Sequence, residues 1–173
     1  MSNTKDVVHL LSLNCQGLGD KHKRGRQIQY LTQQNIDIAF QQETHFTPNL
    51  LLTEFSYWHL YNSFGESNSR GCTILINKSL NFKVIDKVQD RNGRYILLNI
   101  EMQNNLFSLL NTYAQNDKRA RDSFLIGIDT ILTEQSNGIE ILGGEFNELL
   151  SNADRISQSQ KQNSKSFRVD KIA

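Results

Sequence analysis

The segment Ile141-Leu142-Gly143-Gly144-Glu145-Phe146-Asn147 does most to limit what this chain can fold into. An apolar run stops at two glycines and is followed at once by an acid, an aromatic ring and an amide. A buried strand that opens onto Gly-Gly permits close backbone approach and delivers its next residues to a sheet edge. An acid and an amide placed there suit hard-oxygen ligation of a divalent cation such as Mg²⁺, with hydrogen-bond donors beside it.

The chain has 173 residues, enough for one domain with its own core. Hydrophobic residues make up 38% and the net charge is +1, so no global basic field exists and attraction for nucleic acid must come from local clusters. Cys15 and Cys72 lie in or beside apolar runs without CxxC spacing. They predict reduced structural thiols of an intracellular protein, with nucleus and cytoplasm left open, rather than a disulfide framework. No apolar window reaches transmembrane length and Met1 is followed by polar residues, so no membrane partner is expected.

The apolar pattern predicts a strand over Val7–Asn14, a weak amphipathic helix over Arg24–Gln34 and a second strand over Ile36–Gln42. That order suggests a crossover unit feeding one sheet. Short strands follow at Tyr57–Asn62, Cys72–Ile76, Phe82–Val88, Arg94–Met102 and Leu106–Tyr113, the last two joined by the turn Gln103-Asn104-Asn105. Phe124, Leu125, Ile128, Ile131 and Leu132 make the apolar stripe of a helix over Lys118–Gln135, which Asn137-Gly138 ends before a strand at Ile139–Leu142. From Ser151 onward the composition turns to Ser, Gln, Asn and Lys, too polar to form a core.

Asn14 and Glu43 end the first two strands, and adjacent parallel strands would set their carboxyl ends side by side, where open α/β sheets place ligands. An amide carbonyl and a carboxylate there could share one Mg²⁺. Each residue alone is more often a turn-forming Asn or a solvated surface Glu. Tyr113 ends another strand and can hydrogen-bond a phosphate or tune a carboxylate, or merely cap the core. Asn147 reads either as a polar site group or as the N-cap of a helix begun by Glu148-Leu149-Leu150. Lys21-His22-Lys23-Arg24-Gly25-Arg26 and Lys118-Arg119-Ala120-Arg121 are basic runs able to meet phosphates, with solvated helix starts as the plainer alternative.

Five segments, in this order, resemble the endonuclease/exonuclease/phosphatase superfamily: Leu11-Ser12-Leu13-Asn14-Cys15-Gln16-Gly17-Leu18, Ile38-Ala39-Phe40-Gln41-Gln42-Glu43-Thr44-His45, Ser69-Arg70-Gly71-Cys72-Thr73-Ile74-Leu75, Leu110-Asn111-Thr112-Tyr113-Ala114-Gln115-Asn116 and Leu142-Gly143-Gly144-Glu145-Phe146-Asn147. Asp154-Arg155 fits a pattern that follows the last of them. Among that superfamily the likeness is closest to the endonuclease domain of LINE-type (non-LTR) retrotransposons. The resemblance implies a four-layer α/β sandwich and Mg²⁺- (or Mn²⁺-) dependent cleavage of DNA phosphodiesters. By motif match, Asn14 and Glu43 stand at the metal, Tyr113 near the scissile phosphate, Glu145 at the position of the Asp that handles the nucleophile, and Asn147 where transition-state charge is stabilised. Lys23, Arg24, Arg26, Arg70, Lys118 and Arg119 are the implied nucleic-acid contacts.

Three departures shape the expectation. Glu145 replaces Asp, Gln115 replaces Pro, and the family's closing Ser-Asp-His motif has no counterpart before Ala173. Residues 1–155 then correspond to the N-terminal portion of the domain and 156–173 to a polar tail. The sandwich is expected to be incomplete at its C-terminal side, with an open sheet edge that invites self-association. A truncated copy with weak or no cleavage follows, or a catalytically dead remnant that only binds nucleic acid or protein. A phosphatase or deadenylase of the same superfamily ranks behind both.

Overall fold

Asp20 and Asp117 fix where the two helices of the described structure begin. The Asp20 carboxylate accepts a hydrogen bond from the Lys23 backbone N–H at 2.7 Å, and Asp117 accepts one from Ala120 at 2.9 Å. Each satisfies an amide that the first helical turn leaves free. The computed structural model describes residues 7–50, 52–66 and 69–147, with the backbone of Ser166 and Phe167. No helix among these residues is long and apolar enough to cross a membrane.

Strand β1 (Leu10–Asn14), helix α1 (Lys21–Gln33) and strand β2 (Ile38–Gln42) form the first crossover unit, with β1 and β2 parallel. Helix α1 starts a turn earlier than the apolar pattern indicates, because the Asp20 cap lies in a polar stretch. Strand β1 starts later, at Leu10, opposite the first residue of β2; the His9 carbonyl instead accepts from the N–H groups of Asp37 and Ile38. Strands β3 (Trp58–Ser63) and β4 (Cys72–Asn77) follow, with a short 3₁₀ turn over Thr53–Phe55 before them. Sheet one runs β3-β4-β2-β1, and the two-residue strand at Ser166–Phe167 adds antiparallel to Leu10 and Leu11. Asp154-Arg155 and the rest of the polar stretch from Ser151, apart from Ser166 and Phe167, lie outside the described residues.

Sheet two contains β5 (Lys83–Gln89), β6 (Tyr95–Met102), β7 (Asn105–Tyr113) and β8 (Ile139–Glu145) in sequence order. Gln103 and Asn104 both have positive φ, 53° and 59°, as a two-residue hairpin between right-twisted strands requires. Helix α2 (Lys118–Gln135) carries the chain from β7 to β8, which pair in parallel. Strand β8 does not stop at Leu142. Its pairing with β7 continues through Gly143 and Gly144 to Glu145, which lies opposite Tyr113. Among the described residues β8 is the edge of its sheet, with Ile139 and Leu142 exposed.

Burial alternates along the strands to give four layers. Ile38, Phe40, Ile74 and Ile76 from sheet one meet Ile96, Leu98, Ile100 and Leu109 from sheet two. The other face of sheet one, with Leu11, Ala39 and Leu75, packs on Leu31 of α1 and on Phe46 and Phe55. The other face of sheet two, with Leu97 and Leu110, packs on Phe124, Ile128, Ile131 and Leu132 of α2. This is the α/β/β/α sandwich that the motif resemblance implies.

One polar clip crosses the apolar interface between the sheets. The side-chain amide of Asn111 on β7 donates to the carbonyls of Gln41 (2.9 Å) and Thr73 (2.8 Å), and its oxygen accepts from the Gln42 amide (2.7 Å). All four residues are essentially inaccessible to solvent. The clip fixes how the two sheets are stacked, because a shift would orphan three buried groups. Asn111→Ala is therefore expected to reduce the unfolding free energy by about 3 kcal/mol. Urea denaturation reads this, and a loss below about 0.5 kcal/mol would mean that water replaces the clip.

Candidate functional site

Both parallel pairs end at the same edge of the sandwich. Asn14 closes β1, Glu43 follows β2, Tyr113 closes β7 and Glu145 closes β8. Facing sheets thus bring together four side chains that sequence places far apart. The Asn14 amide donates to Glu43 Oε1 at 2.9 Å and also to Glu145 Oε2. Its oxygen accepts from the Gln16 N–H at 2.9 Å. The Tyr113 hydroxyl hydrogen-bonds Glu43 as well. Asn147 lies one step away, its amide donating to the Ala114 carbonyl at 2.8 Å. The helix it would cap falls on residues outside those described.

The loops that hold this cluster are stitched by backbone bonds. Gly17 and Leu18 donate to the carbonyls of Glu43 and Thr44, His45 donates to Arg70, and Gly71 donates to Gly93. Gln16, Glu43, His45, Arg70 and Asn147 all have φ between 48° and 62°. Left-handed backbone at several non-glycine residues is costly and persists only where neighbours enforce it. The Glu43 carboxylate is set by that enforced turn. His45 packs on Gly17, and its Nε2 lies 4.0 Å from Glu43 Oε2.

Burial pushes the Glu145 carboxyl above the usual range; the hydrogen bond from Asn14 opposes this and the Glu43 charge adds to it. Tyr113 is pushed up to about 12, chiefly by burial and then by its hydrogen bond to Glu43 and the two carboxylate charges, so the phenol stays protonated at neutral pH. Two carboxylates converging on one amide make a site that a divalent cation would relieve. No group of three or more His, Cys, Asp or Glu side chains able to hold a metal exists among the described residues. Two carboxylate oxygens and an amide fit an ion that keeps several waters, as Mg²⁺ does, and a half-turn of the Asn14 amide would present its oxygen as well.

A raised Glu145 carboxyl has a stability consequence. The folded state holds the Glu145 proton more tightly than the unfolded chain, so stability from this group is present at low pH and lost as pH rises through the folded titration. Glu145→Gln should raise the urea midpoint of the metal-free protein at pH 8, and the gain should shrink on acidification. Mg²⁺ should stabilise the parent chain more than this variant. Equal midpoints at pH 8 would show that the two carboxylates do not strain the fold.

The basic residues separate into groups. Arg24 is only 4% exposed; it pairs with Glu54 at 3.1 Å and donates to the carbonyls of Leu18 (3.0 Å) and Gly19 (2.7 Å). It pins a loop to the core and has no free face for a phosphate, contrary to the sequence expectation. Lys23 is half-buried and donates to the Gln16 carbonyl beside the site. Arg26 is exposed in the second turn of α1, Arg119 is exposed in the first turn of α2, and Lys118 pairs with Asp122 at 2.7 Å. Arg70 is half-buried next to His45. Sequence reading missed Arg94, whose guanidinium lies 5.0 Å over the Tyr113 ring. No motif marks it; only the β6–β7 register brings it to Tyr113. Cys15 and Cys72 are free and buried, and burial pushes both thiols up, to about 12 for Cys15, so neither is a ready nucleophile.

No protein-family model matches the chain. It is 26% identical over 170 residues to the transposon TX1 uncharacterized 149 kDa protein of Xenopus laevis, covering 96% of this chain and 13% of that protein. Among solved structures it is similar to an endonuclease/exonuclease/phosphatase from Bacteroides vulgatus, with a TM-score of 0.65 and 17% identity over 83% of this chain and 67% of the other. The endonuclease domain of TRAS1, a telomere-specific non-LTR retrotransposon, gives a TM-score of 0.63 at 17% identity, covering 83% of this chain and 62% of that one. TDP2 of D. rerio, complexed with single-strand DNA product, gives a TM-score of 0.62 at 16% identity over 84% and 62% of the two chains.

Proposed function

We propose that this chain, which has the endonuclease/exonuclease/phosphatase fold, is part of a DNA-cleaving phosphodiesterase domain of a LINE-type retroelement, dependent on Mg²⁺ or Mn²⁺. The observation that carries the reading is the convergence of Glu43 and Glu145 on Asn14, beside Tyr113, where the two parallel strand pairs end. Similarity to a transposon protein over nearly the whole of this chain supports the retroelement placement. The likeness to TDP2, solved with a DNA product, supports nucleic acid as substrate.

Asn14 and Glu43 would hold the cation, which when bound supplies Lewis-acid neutralisation of phosphate charge. The protein's own groups do the rest. Glu145, half-buried with a raised affinity for protons, accepts the proton of an attacking water. The Tyr113 hydroxyl, kept protonated, donates toward a phosphate oxygen or holds Glu43 in place. Asn147 offers amide donors for charge that develops on phosphorus, once turned from Ala114. Lys23, Arg26, Arg70, Lys118 and Arg119 attract the strand, an effect that weakens steeply with salt.

A binding-only reading rests on Glu145 itself. Its extra methylene relative to Asp displaces the carboxylate by roughly 1 Å, a misplacement that can cost about 10²-fold in rate. Incubation of the folded chain with supercoiled plasmid and Mg²⁺ separates the readings. Conversion to nicked circles supports the phosphodiesterase; retarded plasmid without nicking leaves a binding module.

A further inference from the structure

Arg94 is a half-buried guanidinium that makes no ion pair among the described residues. It stacks 5.0 Å over the Tyr113 ring and makes one long hydrogen bond, 3.4 Å, to the Tyr113 carbonyl. No ion pair involves Arg94 or Arg70 among the described residues. The nearby acid, Asp90, is spent on its own turn, where Oδ1 accepts the N–H groups of Asn92 (2.7 Å) and Arg94 (3.0 Å). Burial lowers the Arg94 titration, and the charge of Arg70 adds to it. Their loops are tied by the Gly71 N–H to Gly93 carbonyl bond of 3.2 Å, and Arg70 sits in left-handed backbone at φ 62°.

Two partly desolvated arginines on tied loops, with no ion pair among the described residues, are unfavourable unless an anion joins them. Guanidinium forks match phosphate oxygens in plane, and an arginine braced on an aromatic face loses little freedom on binding. The Tyr113 hydroxyl of the same ring reaches Glu43. We infer that Arg70 and Arg94 clamp a backbone phosphodiester of the nucleic-acid strand next to the carboxylate site, with Arg94 aligning Tyr113 against it. The inference rests on the phosphodiesterase reading and assigns it a positioning pair.

The test uses anisotropy of a short labelled single-stranded oligonucleotide, in EDTA, across a salt series. Arg94→Gln and Arg70→Gln should each weaken binding about tenfold at low salt and each reduce the slope of log K against log salt by about 0.7. Arg94→Lys should keep the slope but not the affinity, because it retains charge and loses the fork and the stack. A purely structural Arg94 would lower the melting temperature and leave the slope unchanged, which overturns the inference. Should Arg94→Gln not fold, Arg70→Gln and Arg94→Lys carry the same comparison, and an unchanged slope in Arg70→Gln overturns it. If inorganic phosphate raises the melting temperature but the oligonucleotide does not bind, the anion is a monoester and the phosphodiester assignment falls. Reduced slopes in a chain that never nicks plasmid would keep the clamp and remove the nuclease. Nicking with unchanged slopes would do the reverse.

Discussion

Glu43→Ala is expected to reduce divalent-metal-dependent plasmid nicking by about 10³-fold while leaving the fold intact. Glu43 links Asn14 to Tyr113. It accepts the Asn14 amide at 2.9 Å, takes the Tyr113 hydroxyl and faces Glu145. Its side chain is 24% exposed, so truncation opens a space that water fills rather than a dry cavity. The turn that positions it survives, because the Gly17 N–H to Glu43 carbonyl bond of 2.7 Å is made by backbone. The left-handed φ of 52° strains alanine about as it strains glutamate. Glu43→Gln isolates charge from shape. It should be as inactive as Glu43→Ala, and it should lower the Glu145 titration by removing a like charge. Stabilisation by Mg²⁺ should disappear in both variants. Nicking at the parental rate in Glu43→Ala would remove Glu43, and the cation placement with it, from the site.

How much of this was legible in the chain depends on how local the cause is. Helix α2 matches the sequence expectation at both ends, since the Asp117 cap, the apolar stripe and the Asn137-Gly138 stop are all neighbours in sequence. The first crossover unit follows from strand–helix–strand order, and the carboxyl-end placement of Asn14 and Glu43 follows from its parallel pairing, whereas the parallel pairing of β7 with β8 was not read from the sequence. Arg24 was not legible, because the acid that captures it, Glu54, is thirty residues away and nothing in a basic run says which member turns inward. Arg94 was hidden for the same kind of reason: its partner is set by the register in which Tyr95 pairs with Thr112. Asn111 looks like one more polar residue near a strand end, yet it is the clip between sheets. Periodicity identifies elements and faces; it does not identify which polar side chain finds a buried partner across the fold.

Gly144→Ala tests the feature that most limits the fold, and a loss of about 3 kcal/mol or more in unfolding free energy is expected. Gly144 lies in β8 opposite Thr112 with φ 148°, a conformation that side chains rarely adopt. A Cβ there would strike the Thr112 carbonyl oxygen and come within 2.8 Å of Thr112 Cγ2 and 2.9 Å of its nitrogen. Two of those atoms are backbone of a paired strand and cannot swing aside. Gly143 just before it leaves no more room, since its Cβ would meet the Phe40 ring at 2.5 Å. The pair of glycines therefore lets β8 pass between Phe40 and Thr112 and set Glu145 opposite Tyr113, where the Ala114 N–H holds its carbonyl at 2.8 Å. Any Gly144→Ala protein that still folds should have moved that strand end, with nicking down about 10²-fold or more from a displacement near 1 Å. Gly127→Ala is the internal control. Gly127 lies within α2 with nothing near the site of an added Cβ, so the same substitution there should stabilise by about 0.5–1 kcal/mol. Opposite signs for one chemical change separate backbone conformation and close approach from any general effect of the added methyl. If Gly144→Ala matched the parent chain in a urea melt, β8 could not run between Phe40 and Thr112, and the delivery of Glu145 to Asn14 would need another explanation.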